Sequence, residues 1–467
     1  MRVVIVGAGY VGLVTAASLA EAGHNVICVD RDEARVRAVR QGHAPFFEPG
    51  LDDLLGRQLT TGRLAAQGNL ATAMPGADIV MISVDTPSTP DGIDLRQVLT
   101  VAEQIGPLLQ TTGRPTTVVV KSTVVPGTTA GPVRDTLDRF SDVPYGLAMN
   151  PEFLREGAAV EDALHPDRIV IGQSDATSGT ALQQLYGAIA CPKIVTTPTT
   201  AELIKYATNG LLATLISFAN ELAAYAERIA SVEPEILYEA LCLDRRITSN
   251  LPSGISRSGL ATYLKPGSGF GGSCFPKDVD ALRHEMRRVG ASALLLDAVA
   301  AVNEMRPNAV VGLLEQTIGP LRGQRGAVLG LAFKPDTNDV RRSPALALIA
   351  ELRRRGAEVN AYDPIATESA RAALRAQAVD GVKFADTPEE ALRAADFGVI
   401  GTAWPQFREL DWGTIIGTMT RAVVLDARGG LAGRNLPPEL LVIPVGTQPI
   451  SLEIANQSTA VGVVGQS

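Results

Sequence analysis

Histidine and cysteine are scarce in this 467-residue chain, with four of each, and aromatic residues make up only 4%. His24, His43, His165 and His284 show no metal-ligand spacing, so no zinc centre is expected. The cysteines at 28, 191, 242 and 274 form no CxxC pair, which predicts reduced thiols of a cytoplasmic protein rather than a disulfide framework. Basic residues number 42 against 50 acidic, a net charge of −8. With few aromatics, that balance argues against a nucleic-acid binder, which needs a basic face and stacking platforms. No apolar stretch is long enough to span a bilayer, so no membrane partner is expected. Residues 3–20 could pass for a signal peptide, but a single arginine precedes them and glycines interrupt them at regular offsets. A nucleotide-binding strand and helix explain them better.

What the chain does contain is ordinary for a soluble globular protein of about three domains: 46% hydrophobic and 20% charged residues. Residues 3–6 are a β-branched run, hence a buried strand. Gly7-Ala8-Gly9-Tyr10-Val11-Gly12 follows, then a helical stretch to Gly23, then a second apolar run at 25–29 ending on Asp30. Further strands are expected at 79–84, 117–120 and 168–171, so the N-terminal part reads as doubly wound. From residue 199 to 231 there is no proline, and apolar residues recur at helical spacing. That predicts a helix of about thirty residues, which is either a bundle core or a rod joining two domains and offering a dimer surface. A second helix is expected at 234–243. Near residue 325 the first pattern returns, with strands at 326–331, 358–362, 397–402 and 422–426 and a helix at 344–355. Its first loop lacks the glycine signature and carries Lys334, Arg341 and Arg342 instead.

The predicted fold is therefore α/β, with two Rossmann-like doubly wound domains joined by a long central helix and a small helical dimerisation domain. The expected divisions are a dinucleotide-binding domain at 1–198, a central domain at 199–305, a second Rossmann-like domain at 306–450 and a flexible tail at 451–467.

The glycine turn lets backbone N–H groups meet a pyrophosphate at a helix N-terminus. Asp30 can accept from both ribose hydroxyls and would repel a 2′-phosphate, which favours NAD over NADP. Arg31 and Arg35 stand nearby, on what could equally be a solvated helix. A second site centres on Cys274. Pro276 and Asp278 are favoured early-helix residues, so Cys274 is expected just before a helix N-terminus. That position, the adjoining glycine-rich loop and Lys277 would all stabilise a thiolate. An NAD site with an activated cysteine suggests oxidation through a thiohemiacetal and a thioester. Asn150-Pro151-Glu152-Phe153-Leu154-Arg155-Glu156 follows a strand end, where α/β ligand sites form. Lys205 and Asn209, four apart on the long helix, share a face and could stabilise an oxyanion; a lysine reaching to solvent is the equal alternative.

These motifs resemble those of the UDP-glucose/GDP-mannose dehydrogenases, over residues 3 to about 430. The most specific piece is GFGGSCFPKD at 269–278, supported by KSTVVPGT at 121–128, NPEFLREG at 150–157 and LAFKPDTNDVRRSP at 331–344. The resemblance implies a four-electron oxidation of a sugar C6 alcohol to a carboxylate with two NAD⁺. It implies Cys274 as nucleophile, Glu152 as the acid assisting thioester hydrolysis, Lys205 and Asn209 as oxyanion stabilisers, and Asp278 and Thr123 as residues ordering the water. NAD positions implied are Gly7, Gly9, Val11, Gly12, Asp30, Arg35, Thr86, Thr123, Glu156 and Arg341. Nucleotide-sugar positions implied are Phe153, Leu154, Lys205, Asn209, Tyr263, Lys265, Gly271, Lys334 and Arg428. Arg246 aligns with an arginine that crosses from a neighbouring subunit, which would make a homodimer, or an assembly of dimers, part of the site.

Three features depart from the pattern or divide the branches. Asp85 stands where many members have glycine, and residues 246–264 form a longer stretch than usual. Residues 263–267 are similar to the GDP-mannose branch, whereas Trp404-Pro405-Gln406-Phe407 and Leu425-Asp426-Ala427-Arg428 are similar to the UDP-glucose branch, which is favoured. UDP- and dTDP-glucose differ at the base by one methyl, worth about 1 kcal/mol in a pocket, so the residues do not separate them. GDP-mannose and UDP-N-acetyl sugars are the alternative substrates. A two-electron hydroxy-acid dehydrogenase and a non-enzymatic NAD-sensing protein are remoter readings.

Overall fold

The computed structural model describes residues 1–89, 92–244, 246–247, 249–251, 254–256 and 259–449. The tail at 451–467 and parts of the 246–264 stretch lie outside the described residues. The chain divides into two compact units: Met1–Thr208 with Asp280–Ala291, and Asn209–Val279 with Ser292–Ser467.

In the first unit, short apolar runs form a sheet of β1 (Arg2–Val6), β2 (Asn25–Val29), β3 (Leu64–Gln67), β4 (Ile79–Ile82), β5 (Thr116–Val120), β6 (Tyr145–Met149), β7 (Ile169–Gln173) and β8 (Lys193–Thr196). Their order across the sheet is β8-β7-β6-β5-β4-β1-β2-β3. β4 and β5 are buried at every residue, as expected of strands covered on both faces. All pairings are parallel except β6 with β7, where Met149 opposes Gly172. The strand expected over 79–84 stops at Ile82, because the Val84 N–H turns aside to the Ser122 hydroxyl, 2.9 Å away.

The second unit holds β9 (Arg325–Leu329), β10 (Glu358–Tyr362), β11 (Val382–Phe384), β12 (Phe397–Ile400), β13 (Val423–Asp426) and β14 (Leu441–Pro444), all parallel, in the order β11-β10-β9-β12-β13-β14. The helix Pro344–Arg354 starts on a Ser343 cap and a first-turn proline.

The long helix spans Pro198–Ala226, 29 residues and roughly 44 Å at 1.5 Å per residue. It ends before 231, where Ser231 takes a φ of 64° that helical progression cannot use. Among the elements not foreseen is a 25-residue helix, Leu294–Ile318, which runs across the expected boundary at 305 and contains Pro307. None of the helices among the described residues is long and apolar enough to cross a membrane.

Candidate active site

The glycine turn of the first unit uses its glycines for different purposes. Gly7 has a φ of 113°, and a Cβ there would lie 2.1 Å from the Ser83 carbonyl oxygen; at Gly12 it would lie 1.9 Å from that of Gly7. Backbone packing requires both. Gly9 has an ordinary φ of −76°, and a Cβ there would meet nothing within 4 Å. The open space lies at the N-terminus of helix Tyr10–Glu21, where a pyrophosphate would approach. Val11 lies in that first turn. Asp30, at the tip of β2, accepts the Ala8 N–H at 2.7 Å and the Asp32 N–H at 2.9 Å. Arg35 stands 3.8 Å from Asp30 and 3.6 Å from Asp32, so its charge is answered locally. Thr86 is buried and donates its hydroxyl to the Thr123 carbonyl at 2.7 Å. The turn, the open space at Gly9 and the acid at the strand tip fit NAD.

The same unit holds a buried charged cluster. Lys205 does not reach to solvent: its side chain is 4% exposed, and Nζ lies 2.8 Å from Glu152 Oε1. Glu152 Oε2 accepts the Leu154 N–H at 2.6 Å. Burial alone would raise the Glu152 pKa, but Lys205, the Leu154 N–H and Lys121 together hold it below the usual carboxylate range. Phe153 packs beside this pair, 5.6 Å from Lys205 Nζ and 4.1 Å from the Arg168 guanidinium carbon. Lys121 is a further buried cation that the sequence reading passed over. Its Nζ donates to Asn150 Oδ1 at 2.9 Å, which also accepts the Tyr186 hydroxyl at 2.6 Å. Burial pulls the Lys121 pKa down to about 8.

In the second unit Cys274 immediately precedes the helix beginning at Phe275, and its carbonyl accepts the Asp278 N–H at 2.8 Å, the first turn of that helix. The thiol lies 3.4 Å from the Ser273 hydroxyl. Asp278 is buried and takes the Asn209 amide at 2.6 Å and the Lys277 ammonium at 2.7 Å. Lys277 thus holds an acid instead of standing alone beside the thiol. A thiol at a helix N-terminus has its anion favoured by the helix dipole. None of the four cysteines is in a disulfide, and burial pushes the Cys28 thiol up to about 12.

The loop ahead of Cys274 is fixed residue by residue. Asn220 accepts the Gly267 N–H at 2.8 Å, and Arg306 donates to the Gly267 carbonyl at 2.8 Å. Ser268 N–H goes to the Ala427 carbonyl at 3.1 Å, and Gly272 N–H to that of Arg341 at 3.0 Å. Arg428 donates to the Gly269 and Phe333 carbonyls at 2.9 and 3.0 Å. Asn303 both accepts from and donates to the Phe270 main chain, at 2.7 and 3.1 Å. Arg306 is held in turn by buried Glu227 at 2.7 Å. Gly271 admits no side chain, since a Cβ would lie 2.3 Å from the Arg342 carbonyl oxygen. Asn220, Asn303 and Arg306 escaped the sequence reading because side-chain bonds to distant main chain leave no local pattern.

The remaining predicted residues are more dispersed. Lys334 lies 5.7 Å from the Phe333 ring centre, and the rings of Tyr263 and Phe275 are 6.2 Å apart. Arg341 pairs with Asp339 at 2.8 Å. Lys265 is exposed, and so is Arg246, which pairs with Asp244 at 2.5 Å. Leu154 and Glu156 are half-buried in the loop after β6. Among the described residues no group of three potential metal ligands converges.

Comparison with known proteins gives a consistent picture. Models of the UDP-glucose/GDP-mannose dehydrogenase family match consecutive stretches: its NAD binding domain at 1–190, its central domain at 199–305 and its UDP binding domain at 327–432. The UDP-glucose 6-dehydrogenase of Rhizobium meliloti is 39% identical over 436 residues, covering 92% of this chain and 95% of that one. The solved UDP-glucose dehydrogenase of Pyrobaculum islandicum is 40% identical, with a TM-score of 0.86, over 96% of this chain and 98% of its own. The UDP-D-ManNAc dehydrogenase of Pyrococcus horikoshii is 26% identical, with a TM-score of 0.81, over 96% and 100%.

Proposed function

The chain belongs to the UDP-glucose/GDP-mannose dehydrogenase family, and on that premise we propose that it oxidises the C6 alcohol of UDP-glucose to the carboxylate. NAD is its cofactor, held by Gly7, Gly9, Val11, Gly12, Asp30, Arg35, Thr86, Thr123, Glu156 and Arg341. When bound, each of two successive NAD⁺ molecules accepts one of the two hydrides that the oxidation releases. Overall, one alcohol, one water and two NAD⁺ give one carboxylate, two NADH and three protons. Lys205 and Asn209 stabilise the oxygen that becomes negative at C6. The Cys274 thiolate adds to the aldehyde carbon to form a thiohemiacetal, which becomes a thioester when its hydride departs. Glu152, ionised and paired with Lys205, assists a water ordered by Thr123 and Asp278 in attacking that thioester. The C–S bond breaks, and Cys274 leaves as thiolate. Phe153, Leu154, Tyr263, Lys265, Gly271, Lys334 and Arg428 hold the nucleotide sugar.

The observation that carries this reading is Cys274 at a helix start behind a fully clamped glycine loop. A two-electron hydroxy-acid dehydrogenase needs no such nucleophile. The test is to count NADH formed per UDP-glucose, beside dTDP-glucose, GDP-mannose and UDP-N-acetyl sugars. Two per UDP-glucose with no free aldehyde is expected, and a Cys274→Ser variant should not complete the oxidation. One NADH per sugar, or full turnover by the serine variant, would refute the covalent route.

We assign residues 1–198 to NAD, 199–305 to dimerisation and 306–450 to the sugar nucleotide, in a cytoplasmic enzyme. On helix Pro198–Ala226, Leu211, Phe218 and Tyr225 recur every seventh residue and are 54, 45 and 64% exposed. A second copy of this chain is the occupant we assign to that stripe, with exposed Arg246 crossing to the neighbour's site. Sedimentation as a single chain would exclude it.

A further inference from the structure

Glu202 is a carboxylate with no solvent exposure, one turn before Lys205 on helix Pro198–Ala226. Neither the nucleophile nor the acid–lysine pair uses it. Its two oxygens point at main chain more than seventy residues away: Oε2 accepts the Gly127 N–H at 2.6 Å, and Oε1 accepts the Thr129 N–H at 2.7 Å. Burial raises the pKa of this carboxyl, against the lowering effect of these hydrogen bonds, and burying such a group is costly unless hydrogen bonds offset it. A helix start can be capped far more simply by a nearby serine or aspartate. The distant carboxylate therefore does something a local cap does not: it ties one element to another.

The tied element is the segment leaving β5, residues 121–129. Its beginning carries contacts of its own. Lys121 Nζ donates to Asn150, Ser122 Oγ donates to the Val84 carbonyl at 2.7 Å, and the Thr123 carbonyl accepts the Thr86 hydroxyl at 2.7 Å. Its far end turns at Gly127, with a φ of 93°, and there Glu202 takes the Gly127 and Thr129 N–H groups. Glu202 and Lys205 lie three residues apart on one rigid helix, and Lys205 holds Glu152. The carboxylate thus links the Thr123 segment to the helix that carries the Lys205–Glu152 pair.

We propose that Glu202 is a positioning residue, setting the Thr123 segment in register with Lys205 and Glu152 so that water can attack the thioester. This rests on the function proposed above. The step that needs all three groups together is hydrolysis, so hydrolysis is the step Glu202 should govern. Displacement of reacting groups by about 1 Å can cost on the order of 100-fold in rate.

The test uses the full-length protein with Glu202→Gln, which keeps the volume but offers a single acceptor oxygen. Rapid-mixing kinetics with UDP-glucose and NAD⁺ should show the NADH burst retained within about threefold, while steady turnover falls about tenfold or more and both KM values stay within about twofold. Hydrogen exchange over residues 123–129 should speed up about tenfold or more, because one of the two amides loses its acceptor and meets a donor instead. Glu202→Leu, which removes the buried carboxyl altogether, serves if the glutamine variant does not fold. Unchanged exchange at 123–129 overturns the proposal whatever the activity. So does a rise in KM with kcat intact. A wild-type protein that makes no NADH from any nucleotide sugar would instead defeat the proposed function, with the exchange measurement still deciding the anchoring.

Discussion

Lys121 shows how much chemistry one buried side chain can carry. Asn150, Tyr186, Glu152 and Lys205 face it, and burial lowers its pKa from 10.5 to about 8. In the unfolded chain a lysine keeps its proton until about pH 10.4. Between those values the unfolded state binds more protons, so this group's contribution to stability rises with pH. Below pH 8 it is charged in both states, and folding carries the whole cost of its burial. Replacing it with methionine removes the titration and leaves the Tyr186 hydroxyl on Asn150. The stability gap between Lys121→Met and wild type should therefore close by up to about 3 kcal/mol from about pH 8 to about pH 10. Urea unfolding across that range checks this, and parallel profiles would show that Lys121 keeps an ordinary pKa.

At the scale of an element, the glycine turn separates two demands that look alike in the sequence. The GxGxxG spacing marks all three glycines as one motif. Only geometry shows that Gly7 and Gly12 face main-chain oxygens at about 2 Å while Gly9 faces open space. Gly12→Ala must push the turn apart, and a clash with rigid backbone of this kind costs several kcal/mol. Gly9→Ala has neither a clash nor a φ penalty, so its stability should change by less than about 1 kcal/mol. Its methyl group would occupy the space a pyrophosphate needs, so NAD binding should weaken on the order of 100-fold. Calorimetric titration alongside chemical denaturation separates the two. A Gly9→Ala protein that binds NAD normally would show that the dinucleotide lies elsewhere.

Across the whole molecule, the parts set by local pattern were the legible ones. Continuous apolar runs, glycine turns and terminal acids marked most of the strands of both sheets. Cys274 before its helix followed from Pro276 and Asp278. The antiparallel β7, the helix through Pro307 and the clamps from Asn220, Asn303, Arg306 and Glu202 depend on distant partners, and the sequence near them says nothing of those partners. The two sheets repeat one strand order, β3-β2-β1-β4-β5-β6 and β11-β10-β9-β12-β13-β14, which raises the question of whether both take a dinucleotide. The acids at the two equivalent strand tips answer it. Asp30 binds the Ala8 and Asp32 amides and keeps acceptor capacity for a ribose. Asp363 receives five donors: the amides of Leu331, Ala332, Ile365 and Ala366, and the Trp404 indole at 3.2 Å. A carboxylate offers about four lone-pair sites, so none is left for ribose hydroxyls. Calorimetry should therefore find one NAD per chain, undisplaced by UDP. Two equivalent sites per chain would overturn the argument. With one dinucleotide site and a four-electron oxidation, the proposed covalent route requires NADH to leave and a second NAD⁺ to enter while the sugar is held on Cys274. On that route a thiohemiacetal would serve the exchange by keeping the aldehyde from escaping.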